Sequence, residues 1–212
     1  SAEAMRSTWK DICGIEADDG ITFDGEALSI GPIREDLEYG GLRLRTTATL
    51  ARARISITVD IGFGDAVEPG VEDIDLPVLL DLPTPHLRAY PRETVVAEKF
   101  HAMATLGLTN SRMKDFYDVW VLSKSYKFDS DRLVRAIAAT FARRGTEVPD
   151  TLPDAFTPEF FRNASKLQQW SAFVRDLSAD IPSLEIVVSD LAAFLGPLAA
   201  EARRRKGDKP SS

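Results

Sequence analysis

Two long runs in the first third of the chain alternate apolar and polar residues. LRLRTTATL (residues 42–50) and ARARISITVDIGFGD (residues 51–65) both repeat with a period of two, which is the pattern of a strand with one buried face. This pattern predicts two neighbouring antiparallel strands of one sheet. Before these runs, EAMRSTWKDIC (residues 3–13) predicts a short helix, and two short apolar runs, ITF and ALSIGPI, predict short strands.

After Pro91 the apolar residues recur every three or four positions, which is the period of a helix. Val96, Phe100 and Met103 follow this spacing and define the buried face of the first predicted helix. Side chains that can cap a helix mark where the next ones begin. The other predicted helices are one capped by Thr109, Asn110 or Ser111 and ending near Ser125, one capped by Asp129 or Ser130, and two at about 158–178 and 184–204.

Residues 66–90, between the strands and the helices, are rich in proline and show little periodicity. They predict a long surface connection with one short strand at VLLDL (residues 78–82). Strands followed by helices are typical of an α+β fold. The predicted organisation is an α/β part at residues 1–90, a helical bundle at residues 91–204 and a disordered basic tail at residues 205–212.

The composition is that of an ordinary soluble protein, with 44% hydrophobic and 28% charged residues in a chain of 212. No apolar run approaches the roughly 18–20 residues needed to span a bilayer, and no signal-peptide pattern opens the sequence. We therefore expect a cytoplasmic protein with no membrane partner. The single cysteine, Cys13, excludes an internal disulfide and a cysteine-rich metal site. His86 and His101 lack partners at the spacing of zinc ligands.

The formal net charge of −7 is unevenly distributed along the chain. Residues 1–87 hold 7 Lys/Arg and 17 Asp/Glu, whereas residues 88–144 hold 11 Lys/Arg and 6 Asp/Glu. Because the field at a site depends on nearby charges, the basic middle of an acidic protein can still bind phosphate. The middle segment is therefore a candidate surface for a nucleotide or RNA, and a solvated helical face explains the same charges equally well.

Three charged residues lie beside the apolar positions of the first two predicted helices. Lys99 flanks the stripe that contains Val96 and Met103, and Asp115 and Asp118 stand one turn apart on the next helix. A lysine in this position either lies along the apolar surface and reaches water, or points its ammonium at a phosphate in a cleft. The two carboxylates either complement the start of their helix and pair with a nearby lysine, or face a functional site.

Asp60 interrupts the strand pattern between Val59 and Ile61, although aspartate is disfavoured inside strands. Strand parity places Val59 on the core face and Asp60 on the opposite face. A carboxylate that projects from a strand into a cleft is a common ligand for Mg²⁺ at phosphates, and the alternative is a solvated strand face. Asp73 and Asp75 also form a D-x-D pair, but such matches are frequent by chance in a chain with 33 acidic residues.

Two motifs in the helical half match a known family. AYPRETVVAEKFHAM (residues 89–103) contains Y-x-x-E-x-x-x-A-E-K, and NSRMKDFYDVW (residues 110–120) contains R-x-K-D-x-x-D. With both motifs at full length, the chain resembles the AbiEii-type nucleotidyltransferase toxins of type IV toxin–antitoxin systems. VDIGFGD (residues 59–65) is similar to the strand that carries the third acidic residue of the metal site in that family.

The resemblance implies a DNA-polymerase-β-like nucleotidyltransferase fold, with residues 1–90 as the remainder of its sheet. It also implies transfer of a nucleoside monophosphate from an NTP to an acceptor such as the 3′ end of a tRNA, with Mg²⁺ as the cofactor and a cognate antitoxin as a partner. No DNA partner is expected. The implied site residues are Lys99, Asp115 and Asp118 for catalysis, Lys99, Arg112 and Lys114 for the nucleotide phosphates, and Asp60 for the metal.

Enzymes of this family also have a glycine-rich loop and a strand that bears D-x-D, and neither occurs before Asp60. Two-metal transfer needs several carboxylates, so we expect this chain to be an inactive or impaired fragment, or a truncated product. Two alternatives stay open. The chain is a non-catalytic RNA- or protein-binding module derived from the family, or another subunit supplies the missing carboxylates.

Overall fold

The computed structural model describes residues 2–33, 41–177 and 180–207. The chain divides into two compact units, Ser1–Asp65 and Ala66–Ser212. The boundary predicted between residues 90 and 91 stays a prediction, because compactness alone does not show which segment folds by itself.

The first unit consists of a helix and an antiparallel sheet. Strand β3 pairs with β4 along its whole length, and β1 and β2 pair with its two ends. The antiparallel pair predicted from the alternating runs is confirmed, as are the short helix and strands before it. The elements are α1 Ala2–Cys13, β1 Ile21–Phe23, β2 Ser29–Pro32, β3 Leu42–Leu50 and β4 Ala53–Ile61.

The register of β3 and β4 gives the sheet one buried face. Leu44 and Ala48 of β3 are buried, and Leu44 pairs with Val59 of β4. Asp60 lies directly opposite Arg43. Because successive side chains alternate across a strand, Asp60 points away from the face that contains Val59, as strand parity predicts.

The second unit begins with a two-stranded antiparallel hairpin, β5 Glu72–Asp75 and β6 His86–Ala89. The strand predicted at VLLDL is wrong, because these residues form the connection between β5 and β6. Pro77 and Pro83 flank them, and proline cannot donate a hydrogen bond to a strand ladder. The charged run that contains Asp73 forms the strand instead.

The described remainder of the second unit is helical, so the fold class is α+β, as predicted. The helices pack around an apolar core to which each of the longer ones contributes buried residues. They are α2 Arg92–Leu106, α3 Met113–Ser125, α4 Ser130–Arg143, α5 Pro158–Phe161, α6 Ala164–Val174 and α7 Leu184–Gly207, with 3-10 turns at Gly107–Thr109 and Asp154–Phe156.

The single helix predicted at about 158–178 is in fact two helices, α5 and α6. Asn163 separates them, because its side-chain oxygen accepts hydrogen bonds from the backbone N–H groups of Ser165 and Lys166 and so caps α6. Helix α7 continues to Gly207. The rest of the predicted tail, residues 208–212, lies outside the described residues.

Stacked aromatic rings fill the core of the second unit. Phe100 of α2, Phe116 of α3 and Phe160 of α5 are at most 1% exposed. The ring centroids of Phe116 and Phe160 lie 5.1 Å apart, and those of Phe100 and Phe156 lie 6.1 Å apart. These contacts hold α2 and α3, which carry Lys99, Lys114, Asp115 and Asp118. No helix in the described part of the chain is both long enough and apolar enough to cross a bilayer.

Candidate functional site

Helices α2 and α3, with the residue that caps α3, position the predicted site residues other than Asp60. Helix α2 buries Val96 and Phe100, so that Lys99 lies at the edge of the packed face. The loop before α3 is fixed by Asn110, which is fully buried. Its side-chain oxygen accepts a hydrogen bond from the backbone N–H of Arg112 at 2.8 Å, and this sets where α3 begins.

Lys99 bridges the two carboxylates that stand one turn apart on α3. Its Nζ lies 2.6 Å from Asp115 Oδ1 and 2.9 Å from Asp118 Oδ2. The Asp115 side chain is 7% exposed, and those of Asp118 and Lys99 are 23% and 21% exposed. The structure therefore brings the three predicted catalytic residues into direct contact, at the boundary between the core and solvent.

Two more cations complete this group. Arg112 Nε lies 2.8 Å from Asp115 Oδ2, and Lys114 Nζ lies 2.6 Å from Asp118 Oδ2. Both basic side chains are more than half exposed. We call these five residues the Lys99 cluster: it joins three cations to two carboxylates, so that one positive charge is left over on the solvent side.

The second oxygen of Asp115 lacks a directional partner. Asp115 Oδ2 is buried and accepts no hydrogen bond of good geometry from a described residue, although Arg112 Nε is close. Its charge is therefore balanced by proximity to the guanidinium rather than by an aligned N–H. A buried carboxylate oxygen in this state is costly unless the surrounding cations stay in place.

The pKa of Lys99 is raised above its ordinary value. Burial of the ammonium is the largest single effect and lowers this pKa, but the hydrogen bonds to Asp115 and Asp118 and the negative charges of both carboxylates together raise it by more. Lys99 is therefore protonated at neutral pH. It can neutralise phosphate charge, and it cannot serve as a general base there.

A family model for the nucleotidyl transferase AbiEii toxin of type IV toxin–antitoxin systems matches residues 1–196. The chain belongs to this family. The match confirms the resemblance drawn from the two helical motifs, and it covers most of the chain. No curated protein and no solved structure matches the chain significantly.

The glutamates of the first AbiEii motif bind Arg132 of α4 and Arg144, the residue that follows α4. Glu93 Oε1 lies 3.4 Å from Arg132 Nε, and Glu98 Oε2 lies 2.8 Å from Arg144 Nη2. These pairs join α2 to α4 and its C-terminal cap, so the motif serves the placement of Lys99 as well as the site itself. Sequence reasoning missed both arginines, because no spacing rule links residues about 40 positions apart.

Asp60, the predicted metal ligand, is held by an arginine of the neighbouring strand. Its two oxygens accept hydrogen bonds from Arg43 Nε and Nη2, each at 2.6 Å. The hydrogen bond from Arg43 is also the main reason why the pKa of Asp60 is lowered. Asp60 is about half exposed. It remains a predicted metal ligand, and in this structure the charge of Arg43 neutralises its carboxylate.

The metal site that the AbiEii family implies is not complete among the described residues. They contain no group of three or more His, Cys, Asp or Glu side chains that could hold a metal ion. Asp75 of the D-x-D pair on β5 contacts His86, whose Nδ1 lies 2.8 Å from Asp75 Oδ1. Asp73, Asp75 and His86 do not form a group that could hold a metal ion, so the D-x-D pair does not supply the site.

Proposed function

We propose that this member of the AbiEii family takes part in transfer of a nucleoside monophosphate from an NTP to an RNA acceptor such as the 3′ end of a tRNA. Membership of a nucleotidyltransferase toxin family supports the reaction class. The observation that links the reaction to particular residues is that the Lys99 ammonium contacts both Asp115 and Asp118.

In this proposal Lys99 binds the triphosphate. An ammonium is a compact point charge that suits phosphate oxygens, and Lys99 is protonated because two carboxylates hold its proton. Asp115, the more buried acid, orients the lysine. Asp118 is more exposed. It either orients Lys99 or accepts the proton of the acceptor hydroxyl as that hydroxyl bonds to the α-phosphate and pyrophosphate leaves.

Arg112 and Lys114 add positive field beside this contact. Both side chains are exposed. Lys114 can move to a phosphate because Asp118 keeps Lys99 as its partner. Arg112 can stay beside Asp115 and offer its other N–H groups to a phosphate. The same two residues can contact the backbone of an RNA acceptor.

A divalent metal is general among nucleotidyltransferases, and we propose Mg²⁺. In such enzymes the ion neutralises phosphate charge and aligns the reacting oxygens. Asp60 supplies one carboxylate, and Arg43 holds it, so the described residues do not make a Mg²⁺ site by themselves. What they do provide is the cationic cluster at α2 and α3.

Nucleotide binding tests the proposal. Calorimetric titration of the chain with each NTP in the presence of Mg²⁺ should give binding that Lys99→Ala weakens by about 10–150-fold, since a hydrogen bond to a charged group contributes ~1.5–3 kcal/mol. Arg205→Ala is the control, because Arg205 pairs with Asp131 and Glu201, outside the Lys99 cluster. It should leave the affinity unchanged.

The control separates loss of a ligand contact from loss of stability. Thermal unfolding of both variants must be measured, and the comparison is made where both are folded. The proposal is contradicted if no NTP at millimolar concentration gives a heat of binding. It is also contradicted if the wild type and Lys99→Ala bind NTP with equal affinity.

Non-catalytic RNA or protein binding is the second candidate function. The salt link between Asp60 and Arg43 favours it, because a metal would first have to displace Arg43 from the carboxylate. Incubation with α-labelled NTP, Mg²⁺ and tRNA distinguishes the two. Transfer of label to the RNA supports the enzyme, and retention of the RNA by the chain without transfer supports the binding module.

A further inference from the structure

A second polar contact joins the helix pair α2 and α3, and neither AbiEii motif accounts for it. The guanidinium carbon of Arg92 lies 3.9 Å from the centroid of the Tyr126 ring. Tyr126 is 45% exposed and Arg92 is also exposed. We call this contact the Arg92–Tyr126 stack: the guanidinium lies over one face of the ring, and solvent or a ligand can reach both side chains.

This stack lies on the same side of α2 as Lys99. Arg92 and Lys99 are seven residues apart, which places them within about 20° of one face and ~10.5 Å apart along the helix axis. On the neighbouring helix, Tyr126 comes eight residues after Asp118 and directly after the end of α3. The Lys99 cluster and the Arg92–Tyr126 stack are thus two ends of one surface.

Tyr126 also lines a small apolar cavity. The cavity has a volume of about 250 Å³, and Phe128, Leu133, Phe194 and Pro197 supply apolar surface to it. Pockets for whole drug-sized ligands are typically ~300–1,000 Å³. A cavity at or below that range suits a flat fragment, such as a nucleobase, rather than a whole nucleotide.

The local charge favours a nucleic-acid ligand. Lys127 follows Tyr126 and is exposed. Lys124 lies in the last turn of α3 and pairs with Asp190 at 2.8 Å. A stack of an aromatic ring and a guanidinium, with lysines beside it, is the combination that binds unpaired bases and their phosphates.

We propose that Arg92 and Tyr126 stack on a nucleobase whose phosphates are bound at the Lys99 cluster. The inference rests on the proposed function and names the part of the ligand that the second contact recognises. An extended nucleotide spans the distance between the two ends of the surface. The base belongs either to the NTP or to the unpaired 3′ end of an RNA acceptor, and both have the same stacking chemistry.

Ligands with and without a base test this assignment in the full chain. Tyr126→Ala should weaken binding of NTP, or of a single-stranded 12-nucleotide RNA, by about 5–150-fold, which is the range for loss of one base stack. It should not change binding of inorganic tripolyphosphate, which has the phosphates and no base. Lys99→Ala should weaken binding of tripolyphosphate and NTP alike.

Two control variants separate stacking from charge and from folding. Tyr126→Phe keeps the ring and should bind as the wild type does, whereas Arg92→Ala should weaken base-containing ligands more than tripolyphosphate. Lys127→Ala removes a neighbouring charge without touching the ring, so its effect should be the same for an RNA with a normal 3′ nucleotide and for one with an abasic 3′ nucleotide. Thermal unfolding of each variant checks that it is folded.

Which ligand loses affinity for Tyr126→Ala shows whether the base belongs to the NTP or to the RNA acceptor. A loss confined to NTP assigns the base to the donor nucleotide, and a loss that disappears with the abasic RNA assigns it to the acceptor. If Tyr126→Ala binds NTP and RNA as the wild type does while Lys99→Ala loses tripolyphosphate, the stacking inference is overturned and the proposed function stands. If the wild type binds none of these ligands, both are overturned.

Discussion

Asp115 and Asp118 contact the same ammonium from different environments. Asp115 is almost fully buried, and Asp118 lies nearer to solvent with Lys114 as a second partner. The difference matters because the worth of a charge pair depends on how far water is excluded from it. The two acids should therefore contribute unequally to the stability of the fold, even though they are one turn apart in the same motif.

We predict that Asp115→Asn destabilises the chain by about 1–3 kcal/mol, because the substitution leaves partly buried donors without their anion. Asp118→Asn should cost less than about 1 kcal/mol, as expected for a more exposed pair. Urea unfolding of the two variants beside the wild type measures both values. Equal losses, or a larger loss for Asp118→Asn, would show that burial does not rank the two contacts.

At the level of residues, the helical part of the site was predictable and the sheet part was not. The spacing of Asp115 and Asp118, read with the position of Lys99 beside an apolar stripe, follows from helix geometry alone. The partner of Asp60 depends on the register between two strands, which period-two patterning leaves free to shift by two residues. Only the structure shows that this register sets Arg43 opposite Asp60.

Capping side chains decide where the helices of the second unit begin. Asp129 accepts a hydrogen bond from the backbone N–H of Arg132 and caps α4, as the sequence predicts. Asn163 caps α6 in the same way, in the middle of a segment whose apolar pattern predicts one continuous helix. The helical spacing of apolar residues continues through the break between α5 and α6. At this position the capping side chain therefore determines where α6 begins, and the apolar spacing does not.

We predict that Asn163→Ala destabilises the chain by about 1 kcal/mol, the usual cost of losing a helix cap. Asn163→Asp should be close to neutral, since aspartate accepts the same hydrogen bonds and adds a favourable charge at the start of α6. Urea unfolding followed by circular dichroism measures both. If alanine is tolerated as well as aspartate, the break between α5 and α6 is held by packing and not by the cap.

Among the elements, the helices with clear caps and the long alternating strands could be predicted, whereas the hairpin of β5 and β6 could not. Its first strand is EDID, a charged sequence of low strand propensity. A residue distant in sequence helps to hold this strand in place, because Glu72 Oε1 accepts a hydrogen bond from Arg132 Nη2 at 2.7 Å. Local patterning contains no information about such a contact.

The two units differ in how much apolar surface they bury. Among the described residues of the first unit, the buried apolar side chains are Leu28, Leu44 and Ala48. The continuous apolar core, by contrast, lies wholly within the second unit. Since burial of apolar surface is the main favourable contribution to folding, independent stability should reside in the second unit.

Residues 66–91 are tied to the helices of that unit. Arg135 Nε lies 3.1 Å from Glu68 Oε1, and the Thr94 hydroxyl donates a hydrogen bond to the Glu68 carbonyl at 3.0 Å. Together with the contact between Glu72 and Arg132, these interactions belong to a helical unit that starts at residue 66. A unit that starts at residue 91, as the sequence predicts, would lack them.

We predict that residues 66–212 expressed alone fold cooperatively with a strongly helical circular dichroism spectrum, whereas residues 1–65 alone do not unfold cooperatively.

A shorter fragment, residues 91–212, should be less stable than 66–212 by about 1–3 kcal/mol, the sum expected for two partly exposed ion pairs and one hydrogen bond. Urea unfolding of the three fragments measures this. Equal stability of residues 66–212 and residues 91–212 would instead place the folding boundary at residue 91. Cooperative unfolding of residues 1–65 would show that the core of the first unit is larger than its three buried apolar side chains indicate.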